Sequence, residues 1–370
     1  MTTDTPKVSI VHVKPLDVLC TRRTIENHAE LAEAVAALRE QHAAVLAGPP
    51  IGRILGRAPE GGYDAEIALP VVDGTTLDGL APNTLPADYM FRVIHVGPYA
   101  KTEALGGLSE SVNEAATFLT GKSLLIGDNP SRYIYLEGPE THGDQSEKYM
   151  TEIQISYHCP VWLEEFAKGT SQAVGDEAAR AIVAGHEALL DTFDADTIRS
   201  WVLGAVDRLD KAVPDPQQRA CILQDCAHHY PRAQLERMRA AYDKLGDLRA
   251  LIDRLAEDDD LFPTKIWLDE SGEKPLVYIE RSVPPWNREA YAATDDPIKK
   301  RYHACFCSMV KQAILDGEPI SPSFCNCSGG WFVQMWEAIL DRRLRIDVVE
   351  SVLQGHDRCL FAVHVPEELL

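Results

Sequence analysis

Two short cysteine motifs near the C-terminus are the residues whose type and spacing most directly suggest chemistry. Residues 305–308 read Cys-Phe-Cys-Ser, and residues 325–328 read Cys-Asn-Cys-Ser. Side chains two apart on an extended segment point the same way, so each motif can turn two sulfurs toward one point. Four thiolates arranged tetrahedrally are a typical site for Zn²⁺. The four candidate metal ligands are Cys305, Cys307, Cys325 and Cys327.

Other interpretations of these cysteines remain open, because the usual zinc spacing is Cys-x-x-Cys. A helical pattern follows each motif, and Ser308 and Ser328 suit helix N-caps. The positive end of a helix dipole lowers the pKa of a nearby thiol, which favours redox chemistry or a nucleophile. Cysteines are also common as small buried hydrophobic residues. If a metal is bound, its removal should destabilise the C-terminal half of the chain.

A near-repeat marks the first part of the chain. Residues 63–67 read Tyr-Asp-Ala-Glu-Ile, and residues 149–153 read Tyr-Met-Thr-Glu-Ile. Alternating apolar residues follow in each copy, which is the period of a half-buried strand. A strand, a helix and a short strand are predicted before each copy: 18–25, 28–46 and 51–55 in the first half, and 89–96, 103–119 and 132–136 in the second. We expect two strand-helix-strand-strand halves facing one another across a groove.

The rest of the chain has a different pattern. Residues 159–175 contain glycine, alanine and serine and are the predicted linker between a first domain at 1–158 and a second at 176–370. Strand patterns nearly vanish between 176 and 260, where 222–230 and 235–255 have helical periodicity. Beyond this helical segment we predict a hairpin at 265–268 and 275–279, helices at 308–315 and 331–340, and strands at 344–352 and 359–365. Both domains are therefore predicted to be α+β.

Composition narrows the function classes. The 370 residues include 57 acidic and 36 basic side chains, a formal charge of −21 that would repel phosphate backbones and anionic lipids. We therefore expect no nucleic-acid partner and no membrane partner. The N-terminus lacks a signal-peptide pattern, and nine cysteines are an odd number for a disulfide framework, so a cytoplasmic location is expected. Dinucleotide, P-loop, zinc-protease and serine-hydrolase motifs are not found in the sequence.

Four segments of the first domain, in order, resemble the signature of the GyrI-like, or effector-binding, domain. They are residues 63–71, 85–87, 95–99 and 151–153. The resemblance implies a groove between two pseudo-symmetric halves that accepts hydrophobic, often cationic aromatic compounds, as in multidrug-binding sensors. A buried glutamate on the last strand would supply negative charge. By motif position that residue is Glu152, with Tyr89, Tyr99 and Tyr149 as candidate groove walls.

Glu152 has two alternative roles besides binding a cation. The side chain could alternate outward on its strand and be solvated. Some members of the family hydrolyse strained electrophiles, and in that case Glu152 would be the general base, with Glu66 at the pseudo-equivalent place. Proximity of two carboxylates would raise the pKa of one of them into the range that a general base needs.

The C-terminal half resembles vinyl-reductase-type small-molecule-binding domains and aminothiazoline-carboxylate-hydrolase-like proteins. Residues 325–337, 348–352 and 355–361 carry this resemblance. The resemblance implies that the cysteines bind either a metal, such as zinc, or a small molecule.

The leading hypothesis is a stand-alone protein that senses or sequesters small hydrophobic molecules, cationic aromatic compounds included. The rivals are a cofactor-independent hydrolase and a module that inhibits another protein. The sequence leaves the ligand, the metal content and the oligomeric state undetermined.

Overall fold

The chain divides into two compact units, Met1–His158 and Cys159–Leu370. The computed structural model describes residues 9–58, 61–96, 130–137, 139–143, 145–192 and 194–370. Among these residues, no helix combines the length and apolar character needed to cross a membrane. The helix predicted at 103–119 lies outside the described residues.

The first unit is built on one antiparallel sheet of eight strands, in the order β1-β6-β8-β7-β3-β4-β2-β5. The strands are β1 (Ser9–Val13), β2 (Leu16–Ile25), β3 (Ile51–Arg57), β4 (Tyr63–Pro70), β5 (Ala81–Leu85), β6 (Asp88–Val96), β7 (Arg132–Glu137) and β8 (Met150–Ser156). Two helices are described in this unit, α1 (His28–His42) and the short α2 (Pro139–His142). Every strand pairing is antiparallel, so neighbouring residues in register share one face.

The near-repeat corresponds to two halves of this sheet. Strands β2, β4 and β3 form one half, β6, β8 and β7 form the other, and the halves meet where β3 pairs with β7. Each half has an irregularity at the matching place, between Ile54 and Gly56 on β3 and between Tyr135 and Glu137 on β7. The predicted α+β class and the duplicated arrangement of strands are confirmed.

Helix α1 covers one face of the sheet. Asn27 caps its N-terminus by accepting a hydrogen bond from the Glu30 amide, which satisfies one of the free N–H groups of the first turn. Leu31 lies directly over Gly52 of β3, where a Cβ atom would come 3.0 Å from it. The sheet face that contains Gly52 therefore packs on α1, and the next residues along the strands, including Glu66, point to the opposite face.

The second unit begins with helices. They are α3 (His158–Val174), α4 (Asp176–Ile182), α5 (Ala195–Ala212), α6 (Pro216–Asp225), α7 (Arg232–Leu245) and α8 (Leu248–Glu257). Later come α9 (Arg288–Ala292), α10 (Pro297–Ala304), α11 (Gln312–Asp316) and α12 (Asn326–Leu340). Asp194, Asp215, Asp247 and Asp296 cap four of these helices with their side chains.

A second antiparallel sheet of four strands, in the order β11-β12-β10-β9, completes this unit. Its strands are β9 (Lys265–Asp269), β10 (Leu276–Arg281), β11 (Ile346–Glu350) and β12 (Cys359–His364). The predicted hairpin of β9 and β10 and the two predicted C-terminal strands are present. The buried core between helix α12 and this sheet includes Phe332, Trp336, Val277 and Phe361.

Three predictions for this unit differ from the structure. The linker predicted at 159–175 is instead helix α3, because Trp162, Leu163 and Phe166 bury one face of it. The helical run at 235–255 is two helices, since Gly246 adopts a left-handed conformation (φ 65°) that ends α7. The helix predicted at 308–315 is shorter and begins at Gln312.

The contact between α6 and α12 depends on Gly330, and replacing it with alanine tests that contact. An added Cβ would collide with the backbone carbonyl of Gln224 and would lie 2.7 Å from the Cβ of Ala227. We expect Gly330→Ala to lower the free energy of unfolding by about 1–3 kcal/mol, as overpacking a close contact does. Denaturant unfolding of the purified variant measures this loss.

Gly329→Ala is the matched control, because it adds the same methyl group one residue earlier in the same helix. Its Cβ would meet the Gln224 side chain at 3.5 Å, an ordinary contact distance. Alanine is also the better helix former, so unchanged or higher stability is expected. Equal losses in both variants would contradict the close-approach argument.

Candidate binding face and cysteine pocket

A row of polar side chains crosses the sheet of the first unit on the face opposite α1. Successive strand pairings place each member beside the next, from β2 to β6. This central row consists of Arg22, Glu66, Arg53, Arg132, Gln154 and Arg92. It brings four arginines onto one face of the sheet.

A second, mostly apolar row runs beside the central row on the same face. Its members are Cys20, Ala68, Ile51, Ile134, Glu152 and Ile94, again joined by successive pairings. Glu152 is the only charged residue of this apolar row. Its neighbours on both adjacent strands, Ile94 and Ile134, are aliphatic.

The carboxylate of Glu66 is held tightly. Its residue is 2% exposed, and its Oε1 lies 2.6 Å from Nη1 of Arg53, whose side chain is also largely buried. Asn83 donates a longer hydrogen bond to Oε2, and Arg22 Nε lies 3.7 Å from the same oxygen. Buried and surrounded by donors, this carboxylate serves as the counter-charge of Arg53.

The carboxylate of Glu152 is buried too, but its cationic partner is not. The Oε2 atom lies 2.7 Å from Nη2 of Arg92, whose side chain is 44% exposed. The Oε1 atom accepts a hydrogen bond of 2.7 Å from Nε2 of Gln154. The Arg92 side chain therefore keeps contact with solvent while its guanidinium pairs with Glu152.

The two glutamates do not form a carboxylate pair. Strands β3 and β7 lie between β4, which carries Glu66, and β8, which carries Glu152. Three strand spacings correspond to about 14 Å across the sheet. The two carboxylates are therefore separated by two strands, and Arg53 and Arg132 lie on the same face between them.

The predicted tyrosine walls lie elsewhere. Alternation along β6 places Tyr89 on the face that packs on α1, and its ring stacks on His12 at a centroid distance of 4.5 Å. Tyr149 precedes β8 and donates a 2.6 Å hydrogen bond to the carbonyl of Gly143. Neither ring stands beside Glu152 in the two rows. Tyr99 lies outside the described residues.

The sequence analysis did not identify the arginines of the central row. Arg132 is 4% exposed and donates a 2.7 Å hydrogen bond to the carbonyl of Pro86. Burial lowers the pKa of Arg132, and the neighbouring Arg53 lowers it further, while Asp88 opposes the shift. In the sequence, these residues could be recognised only as arginines within predicted strands. The pairing register of the strands is what places their side chains next to one another.

The cysteines of the second unit line a small pocket. Its wall includes Cys305, Cys307, Cys325, Cys359 and Arg281, together with apolar side chains. The cavity volume is about 10 Å³, which corresponds to about one water molecule. The structure thus brings three of the four predicted metal ligands to one pocket and adds Cys359, which the sequence analysis did not select.

These thiols contact other groups instead of a common point. Cys325 Sγ lies 2.7 Å from Oγ of Ser351, and Cys327 Sγ accepts a hydrogen bond of 3.3 Å from Nε1 of Trp162. Within the part of the chain that the structure describes, no three His, Cys, Asp or Glu side chains are grouped so that they could hold a metal ion. The described thiols are therefore not grouped around one point, and the zinc site stays a prediction.

The thiols are also not activated. Burial raises the pKa of Cys307 to about 11 and that of Cys327 to about 12. Burial likewise raises the pKa of Cys305 and of Cys325 well above the ordinary value of 9.0. The predicted lowering at helix N-termini is wrong, because loss of hydration outweighs the helix dipole.

The positions of the motifs in the helices explain part of this difference. Cys305 lies at the C-terminal end of α10, where the dipole is negative, and Ser328 is the third residue of α12 rather than its cap. Cys307 does accept hydrogen bonds from the amides of Met309 and Val310, which oppose the upward shift of its pKa without cancelling it.

The chain has only low structural similarity to known proteins. No family model matches the chain. No curated protein matches it either. Solved structures that are similar include the C-terminal domain of EcmrR (18% identity, 41% of this chain and 96% of that one, TM-score 0.34). Another is SAV2435 bound to tetraphenylphosphonium (15% identity, 41% of this chain and 93% of that one, TM-score 0.30). A third is a hydrolase from Listeria innocua (15% identity, 42% of this chain and 93% of that one, TM-score 0.29).

The raised pKa values of the buried thiols predict alkaline sensitivity of the second unit. A thiol whose pKa is higher in the folded than in the unfolded state stabilises the fold below pH 9, and this stability is lost as the pH rises through the folded pKa. We expect the free energy of unfolding to fall between pH 9 and 11, and Cys327→Ala to reduce that fall by about 1 kcal/mol. Denaturant unfolding at several pH values measures the slope.

Cys221→Ala is the control, because it removes a thiol from helix α6 that is not one of the two cysteine motifs, and it should leave the slope unchanged. Thiol labelling provides an independent check, since Cys305 and Cys325 should react slowly at neutral pH in the folded protein. Rapid labelling of both, without unfolding, would show that they are thiolates.

Proposed function

We propose that the first unit binds a small hydrophobic molecule on the sheet face opposite α1 and that Glu152 receives a cationic group of that molecule. The observation that carries the proposal is the single carboxylate in the apolar row. Aliphatic neighbours exclude water from Glu152, and a carboxylate with few waters attracts a weakly hydrated cation more strongly than one in bulk water does.

Exchange of partners is the step that would admit a ligand. Arg92 is half-exposed, so releasing it from Glu152 returns a guanidinium to water at small cost. A ligand cation can then take its place on Oε2, while Gln154 continues to donate to Oε1. Glu66 offers no such exchange, because its partner Arg53 is largely buried and would remain as an unpaired charge.

The apolar part of a ligand would contact aliphatic side chains rather than the predicted tyrosines. Ile94 is 39% exposed on one side of Glu152, and Ile134 on the other side is partly exposed. Burial of apolar ligand surface on these side chains contributes about 25 cal/mol per Å². The resemblance to GyrI-like domains and this arrangement both support a sensing or sequestering role.

The hydrolase hypothesis has less geometric support. A general base needs a free lone pair directed at the water that it activates. In Glu152, one oxygen accepts from Gln154 and the other faces Arg92. Partners on both oxygens stabilise the ionised form of the carboxylate, and this favours binding of a cation over proton abstraction.

Charge exchange at Glu152 is tested by two substitutions of opposite effect. Glu152→Gln should weaken binding of a lipophilic cation such as tetraphenylphosphonium by about 1.5–3 kcal/mol, because a charge-assisted contact is lost. Arg92→Gln should strengthen binding, because the ligand no longer competes with a tethered guanidinium. Isothermal titration calorimetry of the full chain measures both affinities.

Glu147→Gln serves as the control, because it removes one negative charge from an exposed position. It should leave the affinity nearly unchanged, apart from a small long-range effect that salt screens. The proposal fails if Glu152→Gln binds the cation as tightly as the parent protein. A lower affinity in Arg92→Gln would instead mean that the guanidinium itself contacts the ligand.

A further inference from the structure

Arg281 is a cation in the wall of the cysteine pocket. It is the last residue of β10 and pairs in register with Cys359 of β12. Its guanidinium carbon lies 3.7 Å from the centre of the Phe306 ring and 5.9 Å from that of Phe332. Two aromatic rings therefore fix the guanidinium in place, and Phe306 is itself held edge-on by Trp286.

The charge of Arg281 has no carboxylate counterpart. Among the described residues, no Asp or Glu oxygen lies within ion-pair distance of it, and its charge interactions are with Cys359, Tyr230 and Cys305. The neighbouring Arg358, by contrast, is neutralised, since it lies 2.5 Å from Glu280 and 2.8 Å from Glu350. Arg281 is only partly exposed, and a cation with reduced hydration is more stable with such a partner.

The three neighbouring groups cannot supply the missing charge near neutral pH. Burial raises the pKa of Cys359, raises that of Cys305 well above its ordinary value and raises that of Tyr230 to about 12. All three are therefore neutral. Burial lowers the pKa of Arg281 to about 10, which still leaves the guanidinium charged at pH 7.

The rest of the pocket suits an anion by its polarity and its size. Protonated thiols and the hydroxyl of Ser328 can donate hydrogen bonds, and no carboxylate is among the lining residues. The cavity volume is about 10 Å³, which favours a single compact ion over a larger organic acid. Thiols and aromatic rings are polarisable, so they suit a polarisable anion such as a halide.

We propose that the cysteine pocket of the second unit is a binding site for one compact monovalent anion of halide size, held by Arg281. The anion neutralises the guanidinium, while the thiols and Ser328 donate to it from the other sides. This site is separate from the binding face of the first unit and does not depend on the function proposed for that face.

Chloride NMR of the full-length protein tests the site directly. Bound chloride exchanging with the bulk broadens the ³⁵Cl line, and bromide should compete away the excess broadening. We expect Arg281→Met to lose most of the competable broadening and Arg281→Lys, which keeps the charge but not the planar stacking, to retain part of it. Arg342→Met is the control, since Arg342 is half-exposed and already faces Glu368 at 3.2 Å.

Thermal unfolding separates a bound ion from a general salt effect. Replacing gluconate by bromide at constant ionic strength should raise the melting temperature of the parent by about 2–4 °C more than that of Arg281→Met. Arg281→Met should itself fold without loss of stability in gluconate, because an apolar side chain replaces an unneutralised charge.

Three results would overturn the site. One is competable broadening that is the same in the parent and in Arg281→Met. Another is an equal bromide effect on both melting temperatures. The third is competition by benzoate as effective as that by bromide, because its ring exceeds the cavity and the site would then accept organic acids. If Arg281→Met does not fold, Arg281→Lys and bromide anomalous scattering from crystals of the parent still test whether an ion lies beside the guanidinium.

Discussion

A charge placed in a largely dry interior is costly unless a nearby group neutralises it, and this cost shapes the charged sites of both units. In the first unit, Glu66 and Arg53 face one another at 2.6 Å on adjacent strands, both largely buried. Neither charge could remain in the sheet without the other, since an isolated buried ion costs several kcal/mol. The strand register that pairs β3 with β4 is therefore also the register that places Arg53 beside Glu66.

Glu152 follows the same rule with a different partner, and that difference gives the binding face its proposed role. Its guanidinium comes from Arg92, which reaches the carboxylate from solvent. A partner at the surface can be exchanged for a ligand, while a buried partner cannot. The duplicated halves thus hold two glutamates at equivalent places in the repeat with different capacity to bind.

Desolvation decides the chemistry of the second unit. Cys305, Cys307, Cys325 and Cys327 have their pKa values raised by neighbouring cysteines, but burial is the larger cause in each case, and it is also the cause of the raised pKa of Cys359. A metal could reverse this effect, because coordination pays for the thiolate charge. The described geometry does not group the sulfurs for that purpose, so they remain protonated, and Arg281 is left as the charged group of the pocket.

The sequence by itself determined the α+β class, the duplicated strands of the first unit and most of the strands and helices of the second. These follow from local periodicity: apolar residues alternate in β4 and β8, and they recur every three or four residues in α8 and α12. The sequence also singled out Glu66, Glu152 and the two cysteine motifs, because repeated residue types stand out along a chain. Where local patterns misled, as at 159–175, the burial of Trp162 and Phe166 overrode a linker-like composition.

Only the tertiary structure decided what those residues can do. The pairing register across β3 and β7 put two strands between the glutamates and placed Tyr89 on the face away from Glu152. Residues distant in sequence, Arg92 for Glu152 and Arg281 for the cysteines, set the charge at each place. The physical reason is that ionisation and ligand affinity depend on hydration and on neighbouring charges, and both are fixed by contacts between strands and helices that no local pattern encodes.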